Sequence, residues 1–518
     1  MRGRAARMLA IAAAGALSVF GFAPAAWYPL TFIGVGALYA CGRRRCSRNA
    51  PSSPDVPDAP NSTRTWRQAA CYGLAWGLGF FLTGVSWVYI SLTHFGGVPA
   101  PLAVLATLMF CLYLALFPAL TLAIHAHFPT RSAIGDTAVF AACWTLAEWL
   151  RGELLSGFPW LALGYAHGPP SPLAGWAPVF GVWGVGFAAA WLSALAVEGL
   201  ATRTLRVRAL LVGGVLLLGG WGLRTVAWTT PHAHALEVSL LQGNIPQSLK
   251  WRPELLQQSL STYLELAQRH PAQLMLLPET ALPSLPENLP SGYLSALRAT
   301  ARGPGADVIL GTVVRDQHGR YFNAALSLAS GADYRKRHLV PFGEFTPPLF
   351  AWTLAWLHIP MSDFARGAAQ QPPWSIAGER VAANICYEDI FGGEIRARAR
   401  QATLLANLSN TAWFGDSAAQ PQHLQIAQMR ALETGRPMLR ATNSGVTAII
   451  TPDGRVTGSL PAFTPGALRG TVHGYEGSTP YLFWGDRPTL AWCGLIVLLA
   501  YRAGRNGSRL VRAPRPGQ

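Results

Sequence analysis

Cys386 closes the apolar stretch Val381-Ala382-Ala383-Asn384-Ile385 and is followed by Tyr387, Glu388 and Asp389. A buried strand that ends on a cysteine holds a nucleophile on rigid backbone, with loops beside it for helpers. Cys386 is also the single cysteine between residues 225 and 487. Glu279 ends a similar stretch, Leu274-Met275-Leu276-Leu277-Pro278. Lys336 is one of two lysines, with Lys250, among 41 Lys and Arg. A chain that uses arginine for nearly every cation but lysine here points to a need for a compact ammonium. The chemistry of the three fits together. A thiol needs a base to become a nucleophile, and Glu279 can take that proton and later deprotonate an acceptor. Lys336 can set its ammonium against a developing oxyanion and help to hold the thiolate, with the backbone N–H after Cys386 as a second donor. Glu344, in Pro341-Phe342-Gly343-Glu344, can orient Lys336 or an incoming amine. Attack on an ester would give a thioester, and an amine would then take the acyl group in a ping-pong cycle. His338 and His423 offer a Cys–His dyad instead, although neither closes a strand.

Such residues act only if the chain brings them together. From about 236 the apolar period suits strands alternating with helices: strand 237–245, helix 252–268, strand 274–279, helix 291–302 and strand 307–314. A hairpin turn at 316–320 and a return strand 322–328 follow. Residues 334–348 read as a polar loop, then come strand 381–386, helix 392–401, strand 403–408, helix 420–434 and strands 438–450 and 456–460. Alternation followed by hairpins predicts an α/β sandwich of mixed sheets. No GxGxxG or Walker loop is present, so no nucleotide site is expected, and no cluster of His, Cys or Asp has ligand spacing for a metal. No cofactor is implied.

The remainder of the chain is of another kind. Of 518 residues, 51% are hydrophobic and 13% charged, where soluble proteins carry about a quarter charged. Residues 233–480 hold 20 basic and 18 acidic residues; the rest hold 21 basic and 7 acidic, so nearly all of the net +16 lies outside that block. The arginines lie between apolar runs, which favours a membrane over nucleic acid as the partner. Candidate spans are 8–24, 27–41, 68–90, 98–126, 133–151, 177–199, 206–224 and 488–502. About 20 apolar residues cross a bilayer, so 27–41 and 488–502 are short. Arginines crowd alternate loops, at 2–7, 43–67, 131, 203–208 and 502–515, while loops 91–97 and 152–176 carry only Glu153. That is the positive-inside pattern for eight spans with both termini cytoplasmic, and it places 225–487 on the outer side. A cleaved signal peptide at 8–24 is the alternative reading of the first run. The expected division is a seven-span unit 1–225, a catalytic domain 226–480, and a last helix with a basic tail, 481–518. Loop 152–176, aromatic and nearly uncharged, reads first as an interfacial anchor and second as one wall of a groove for lipid. Glu148 and Arg151, three apart, suit an ion pair, and Asp136 lies where it can reach the headgroups.

With these residues in hand, the chain resembles the bacterial apolipoprotein N-acyltransferases, membrane members of the nitrilase, or carbon–nitrogen hydrolase, superfamily. The resemblance rests on Leu277-Pro278-Glu279-Thr280, on Tyr334-Arg335-Lys336-Arg337-His338-Leu339-Val340-Pro341-Phe342-Gly343-Glu344 and on Cys386-Tyr387-Glu388. Asn407 to Phe414, Arg440-Ala441-Thr442-Asn443-Ser444-Gly445, Glu148 to Arg151 and Gly157-Phe158-Pro159-Trp160 extend it over essentially the whole chain. It implies a multi-pass helical domain joined to a nitrilase-like α-β-β-α domain, with Glu279 as base, Lys336 as oxyanion lysine and Cys386 as nucleophile. Glu344, Tyr387, Glu388, Asn410 and Trp413 are implied to support the site or bind substrate, Trp413 bordering the cleft. The implied donor is a glycerophospholipid, usually phosphatidylethanolamine, and the implied acceptor is the α-amine of a diacylglyceryl-cysteine apolipoprotein. The expected place is the bacterial inner membrane, with the catalytic domain periplasmic and the protein monomeric. Loop 345–366, with Phe345, Phe350, Trp352, Trp356 and Leu357, is expected either to pack or to act as a lid. The competing readings are a membrane-tethered amidase with water as acceptor, and a lipid-binding protein without catalysis.

Overall fold

Side-chain alternation decides how the strands stack. The computed structural model describes residues 2–43, 62–128, 132–247, 253–346 and 363–511. In strand Leu274–Leu276 and the residue after it, Leu274 and Leu276 enter one buried cluster while Met275 and Leu277 enter another. In Leu404–Ser409, Leu404, Ala406 and Leu408 share the first cluster and Leu405 faces away. A strand with apolar residues on both faces must be covered on both.

Fourteen strands are described. They are β1 (Thr229–Pro231), β2 (Leu236–Gln242), β3 (Leu274–Leu276), β4 (Asp307–Arg315), β5 (Tyr321–Ser327), β6 (Asp333–Arg335), β7 (Trp374–Ile376), β8 (Glu379–Ile385), β9 (Leu404–Ser409), β10 (Met438–Thr442), β11 (Ala448–Ile450), β12 (Val456–Ser459), β13 (Gly466–Val472) and β14 (Tyr475–Gly477). Two six-stranded mixed sheets form, in the orders β13-β2-β3-β4-β5-β6 and β12-β11-β10-β9-β8-β7. Strands β2, β3 and β4 run parallel, as do β8, β9 and β10. The two inner faces share one core. Helices Pro253–Arg269 and Tyr293–Arg298 cover the first sheet from outside, and Gly392–Ala399 and Ala419–Thr434 cover the second. The result is the expected α-β-β-α sandwich. Strands β1, β7, β13 and β14 carry no strong period in the sequence, and β6 overlaps the start of the stretch read as a loop. The region 438–450 is an antiparallel pair rather than one strand.

Helices occupy all eight apolar runs: Arg2–Val19, Pro29–Gly42, Ser62–Gly84, Ala100–His125, Ala133–Glu153, Ala177–Gly199, Arg203–Leu223 and Arg487–Val511. Among the described residues three are long and apolar enough to cross a membrane: Ala100–His125, Pro172–Gly199 and Arg203–Leu223. A fourth is counted if Trp66–Gly84 and Val88–Phe95, bent by 57°, make one span. Pro29–Gly42 has only 14 residues, and Ala133–Glu153 carries Asp136, Glu148, Arg151 and Glu153. All but the exposed Glu153 are met within the bundle. Arg151 lies 3.7 Å from Glu148. Asp136 accepts from the Tyr39 hydroxyl (2.9 Å) and lies 3.2 Å from His125, so it is tied to neighbouring helices.

Loop 152–176 is less exposed than an anchor would be. Trp160, Leu161, Ala162, Leu163 and Tyr165 are almost fully buried, so these side chains face protein rather than lipid headgroups. They pack between the membrane helices and the α/β unit. Trp160 Nε1 donates to Gln422 (2.7 Å), the Tyr165 hydroxyl to the Ile390 carbonyl (3.2 Å) and the Tyr387 hydroxyl to the Gly157 carbonyl (2.9 Å).

Candidate active site

Glu279 and Cys386 stand where parallel strands end, the usual place for sites in open α/β sheets, and Lys336 follows an antiparallel edge strand. Glu279 follows β3. It can sit against β4 because residue 311 is glycine: a Cβ there would lie 2.3 Å from the Pro278 carbonyl and 2.6 Å from Glu279 Cα. Lys336 follows β6, its N–H held by the Asn323 carbonyl on β5 (2.8 Å). Cys386 lies one residue beyond β8 rather than on it. It opens a tight turn with φ of +52°, which is uncommon for a residue with a side chain. Such strain persists only where its surroundings enforce it.

Around that turn the charges are buried and shared. Lys336 Nζ donates to Glu279 Oε1 (3.1 Å) and to Glu344 Oε1 (2.9 Å). Asn323 Nδ2 donates to the same two oxygens, at 2.8 and 2.7 Å. The Asn410 N–H donates to Glu279 Oε2 (2.8 Å), and the Val340 N–H to Glu344 Oε2 (2.8 Å). Burial alone would lower the Lys336 pKa, but Glu279 and Glu344 beside it hold the ammonium well above its ordinary range. Burial pushes the Glu344 carboxyl up, an effect Lys336 opposes and the charge of Glu279 reinforces. Burial also pushes the Cys386 thiol well up. Glu279 and Glu344 add to that, while Lys336 and Arg440 pull it down. Burial and the two carboxylates thus favour the thiol over the thiolate, and a reaction through the sulfur calls for a base.

Two family profiles cover the chain. Residues 14–195 match the apolipoprotein N-acyltransferase N-terminal domain, and residues 237–481 match the carbon-nitrogen hydrolase family. Apolipoprotein N-acyltransferase from Nitrosomonas europaea is 45% identical over 97% of this chain and 98% of its own. That from Ralstonia nicotianae is 44% identical over 95% and 92%, and that from Pseudomonas aeruginosa 40% identical over 94% of each. The chain belongs to the apolipoprotein N-acyltransferase family. Among solved structures, an amidase from Nesterenkonia sp. is 23% identical with a TM-score of 0.35, covering 49% of this chain and 95% of that one. As an apolipoprotein N-acyltransferase the protein is an acyl-transferring enzyme, with a multi-pass membrane region and a nitrilase-like domain.

The other residues singled out in this N-acyltransferase fall into two groups. Asn410 stands with Glu279, and its side chain donates to Gln247 (2.6 Å). Glu388 does not face the cluster. Its carboxylate accepts from the Tyr334 hydroxyl (2.9 Å to each oxygen) and from the N–H groups of Arg337 (2.8 Å), His338 (3.2 Å) and Ile385 (2.7 Å). It thereby clamps the lysine loop to the end of β8. Burial works to raise its pKa, but Arg398 and those N–H groups outweigh it and hold the carboxyl below its ordinary range. Tyr387 points to the membrane loop through Gly157. Half-buried Trp413 meets the bent third span, where its carbonyl accepts from the Ser91 hydroxyl (2.7 Å) and its ring packs edge-on against Phe95. The alternative bases are engaged elsewhere. His338 lies 3.0 Å from Glu394 and 2.9 Å from the Ser156 carbonyl, and His423 lies 2.8 Å from Asp389. Of the expected lid, residues 347–362 lie outside the described residues. At its ends Phe345 and Phe364 pack with Val313 and Leu339, and the Phe364 N–H donates to the Glu344 carbonyl (3.0 Å). Sequence reasoning passed over Asn323, whose one signal is an amide in the otherwise apolar Ala324-Ala325-Leu326 strand.

Proposed function

We propose that the acyl donor is a glycerophospholipid, phosphatidylethanolamine by preference, and that the acceptor is the free α-amine of a diacylglyceryl-cysteine at the start of an apolipoprotein. Glu279 takes the Cys386 proton as the sulfur attacks the sn-1 ester carbonyl. Lys336 Nζ and the Tyr387 N–H meet the oxyanion. When the C–O bond breaks, Glu279 returns the proton to the departing lysophospholipid alkoxide, leaving a thioester. The amine then attacks the thioester, Glu279 takes a proton from it, the C–S bond breaks, and the thiol is reprotonated. Glu344 holds Lys336, and Glu388 holds the loop that carries it.

The observation that carries this reading is the buried cluster of Glu279, Lys336 and Glu344, whose charges act on Cys386, in a turn that touches membrane loop 152–176 through Tyr387. Both substrates have tails held in one leaflet, so a site that leans on the membrane region suits them. The charge pattern supports the remaining assignments. These are an inner-membrane protein with a periplasmic catalytic domain over about 226–480, seven spans before it, one span and a basic tail after it, and both termini cytoplasmic; a monomeric state is proposed beside them without support from charge. Intact-mass measurement after incubation with phosphatidylethanolamine in mixed micelles tests the chemistry. One acyl chain on the wild type, removed by a lipopeptide with a free amine and absent from Cys386→Ser, is the expected result. An adduct that survives in Cys386→Ser overturns the assignment.

A further inference from the structure

Asn323 lies on β5, opposite Val313 on β4, and is 3% exposed. Its side-chain nitrogen donates to both Glu279 Oε1 and Glu344 Oε1, the two atoms that Lys336 Nζ also bonds. Two nitrogens and two oxygens thus close a ring of hydrogen bonds. Asn323 Oδ1 is buried with no hydrogen-bond partner. The reverse amide orientation would set that oxygen against two carboxylate oxygens, so charge settles which way the amide points. The side chain serves as a donor only.

Two carboxylates that face one ammonium repel each other, and repulsion favours a proton on one of them. Glu279 is also faced by Cys386 from the nucleophile turn, by Arg440 from β10 and by the Asn410 N–H. A second donor shared by both oxygens stabilises the doubly ionised state. We propose that Asn323 is a positioning residue for the base: by bridging the two carboxylates it keeps Glu279 ionised beside Glu344, ready to accept the Cys386 proton at neutral pH. This inference rests on the reading of Glu279 as the base.

The test is the pH dependence of single-turnover acyl-enzyme formation in the full-length protein in mixed micelles. Wild type, Asn323→Ala and the isosteric Asn323→Asp are compared by intact mass. A base must be ionised, so the rate rises with pH through the pKa of Glu279. Loss of a donor to the charged form raises that pKa. Asn323→Ala is expected to move the acidic limb up by about one pH unit or more, so that one unit below the wild-type limb the rate falls about a further tenfold. At alkaline pH much of that difference disappears. Asn323→Asp, which adds a third negative charge without a donor, shifts the limb further, and it decides alone if the alanine variant aggregates. A folded variant that loses the same factor at every pH overturns the inference and leaves Glu279 as the base. A wild type that forms no adduct on Cys386 overturns the reading beneath it instead.

Discussion

Lys336 shows why an ammonium and a guanidinium differ at one position. Its nitrogen reaches two carboxylate oxygens at 2.9 and 3.1 Å, and the side chain is 1% exposed. Guanidinium is planar, longer and bears its donors in a fixed fork. Lys336→Arg would keep the charge but move it off the point where both carboxylates converge. Transfer of radiolabelled acyl chains to a lipopeptide is expected to fall by about 10²–10³, the cost of losing an oxyanion donor, with the melting temperature near that of wild type. A rate within a few fold of wild type would show that charge alone suffices. The neighbours of Lys336 were unequally legible. Glu279 and Cys386 announce themselves because each polar side chain ends an apolar run. Asn323 sits inside such a run, and what it bonds depends on a loop twenty residues later folding back over β5.

The nucleophile turn is the element on which these side chains depend, and two buried ion pairs brace it. Glu388 lies 3.4 Å from Arg398, and Asp389 lies 3.0 Å from Arg440 and 2.8 Å from His423. Arg440 also donates to Asn407 (2.8 Å), whose amide in turn donates to the Cys386 carbonyl (3.3 Å). Through this chain of contacts β9 and β10 oppose relaxation of the left-handed backbone at Cys386. Asp389→Asn would leave the Arg440 guanidinium buried without its counter-charge, a change that costs about 3–5 kcal/mol. Thermal unfolding in detergent should show a fall of several degrees, and adding Arg440→Met should restore part of it. A single variant as stable as wild type would mean that the pair does not brace the turn. The sequence marks this turn by position but hides its bracing, because Asp389 in the turn and Arg440 on β10 lie about fifty residues apart. Loop 152–176 misleads for a related reason. Its Trp and Tyr have the composition of a headgroup anchor, and only the docked α/β unit, which offers Gln422 and the Ile390 carbonyl, draws them into the interior.

Across the whole molecule, the membrane bundle and the sandwich are joined as one scaffold. Helix 177–199 breaks at Gly181, where φ is +67° and a Cβ would lie 2.4 Å from the ring of Tyr481. The break frees the Val182 N–H, which donates to Glu433 on the sandwich helix Ala419–Thr434 (2.6 Å). A joint made of buried backbone and side-chain bonds leaves the sandwich little freedom to turn, so its side of the membrane follows from the orientation of the spans. Arginine-rich loops stay inside because anionic lipid and the membrane potential oppose their transfer. The proposed orientation would put residues 316–320, an exposed hairpin turn far along the chain from the spans, on the outside, and the end of helix Pro29–Gly42 in the cytoplasm. Two single-cysteine variants of an otherwise cysteine-free chain separate these sides. One keeps Cys41, which is exposed, and the other carries His318→Cys. An impermeant maleimide added to intact spheroplasts should label position 318 at once and Cys41 only after permeabilisation. The opposite pattern would put the sandwich in the cytoplasm and remove the physical reason for its access to outer-leaflet phospholipid.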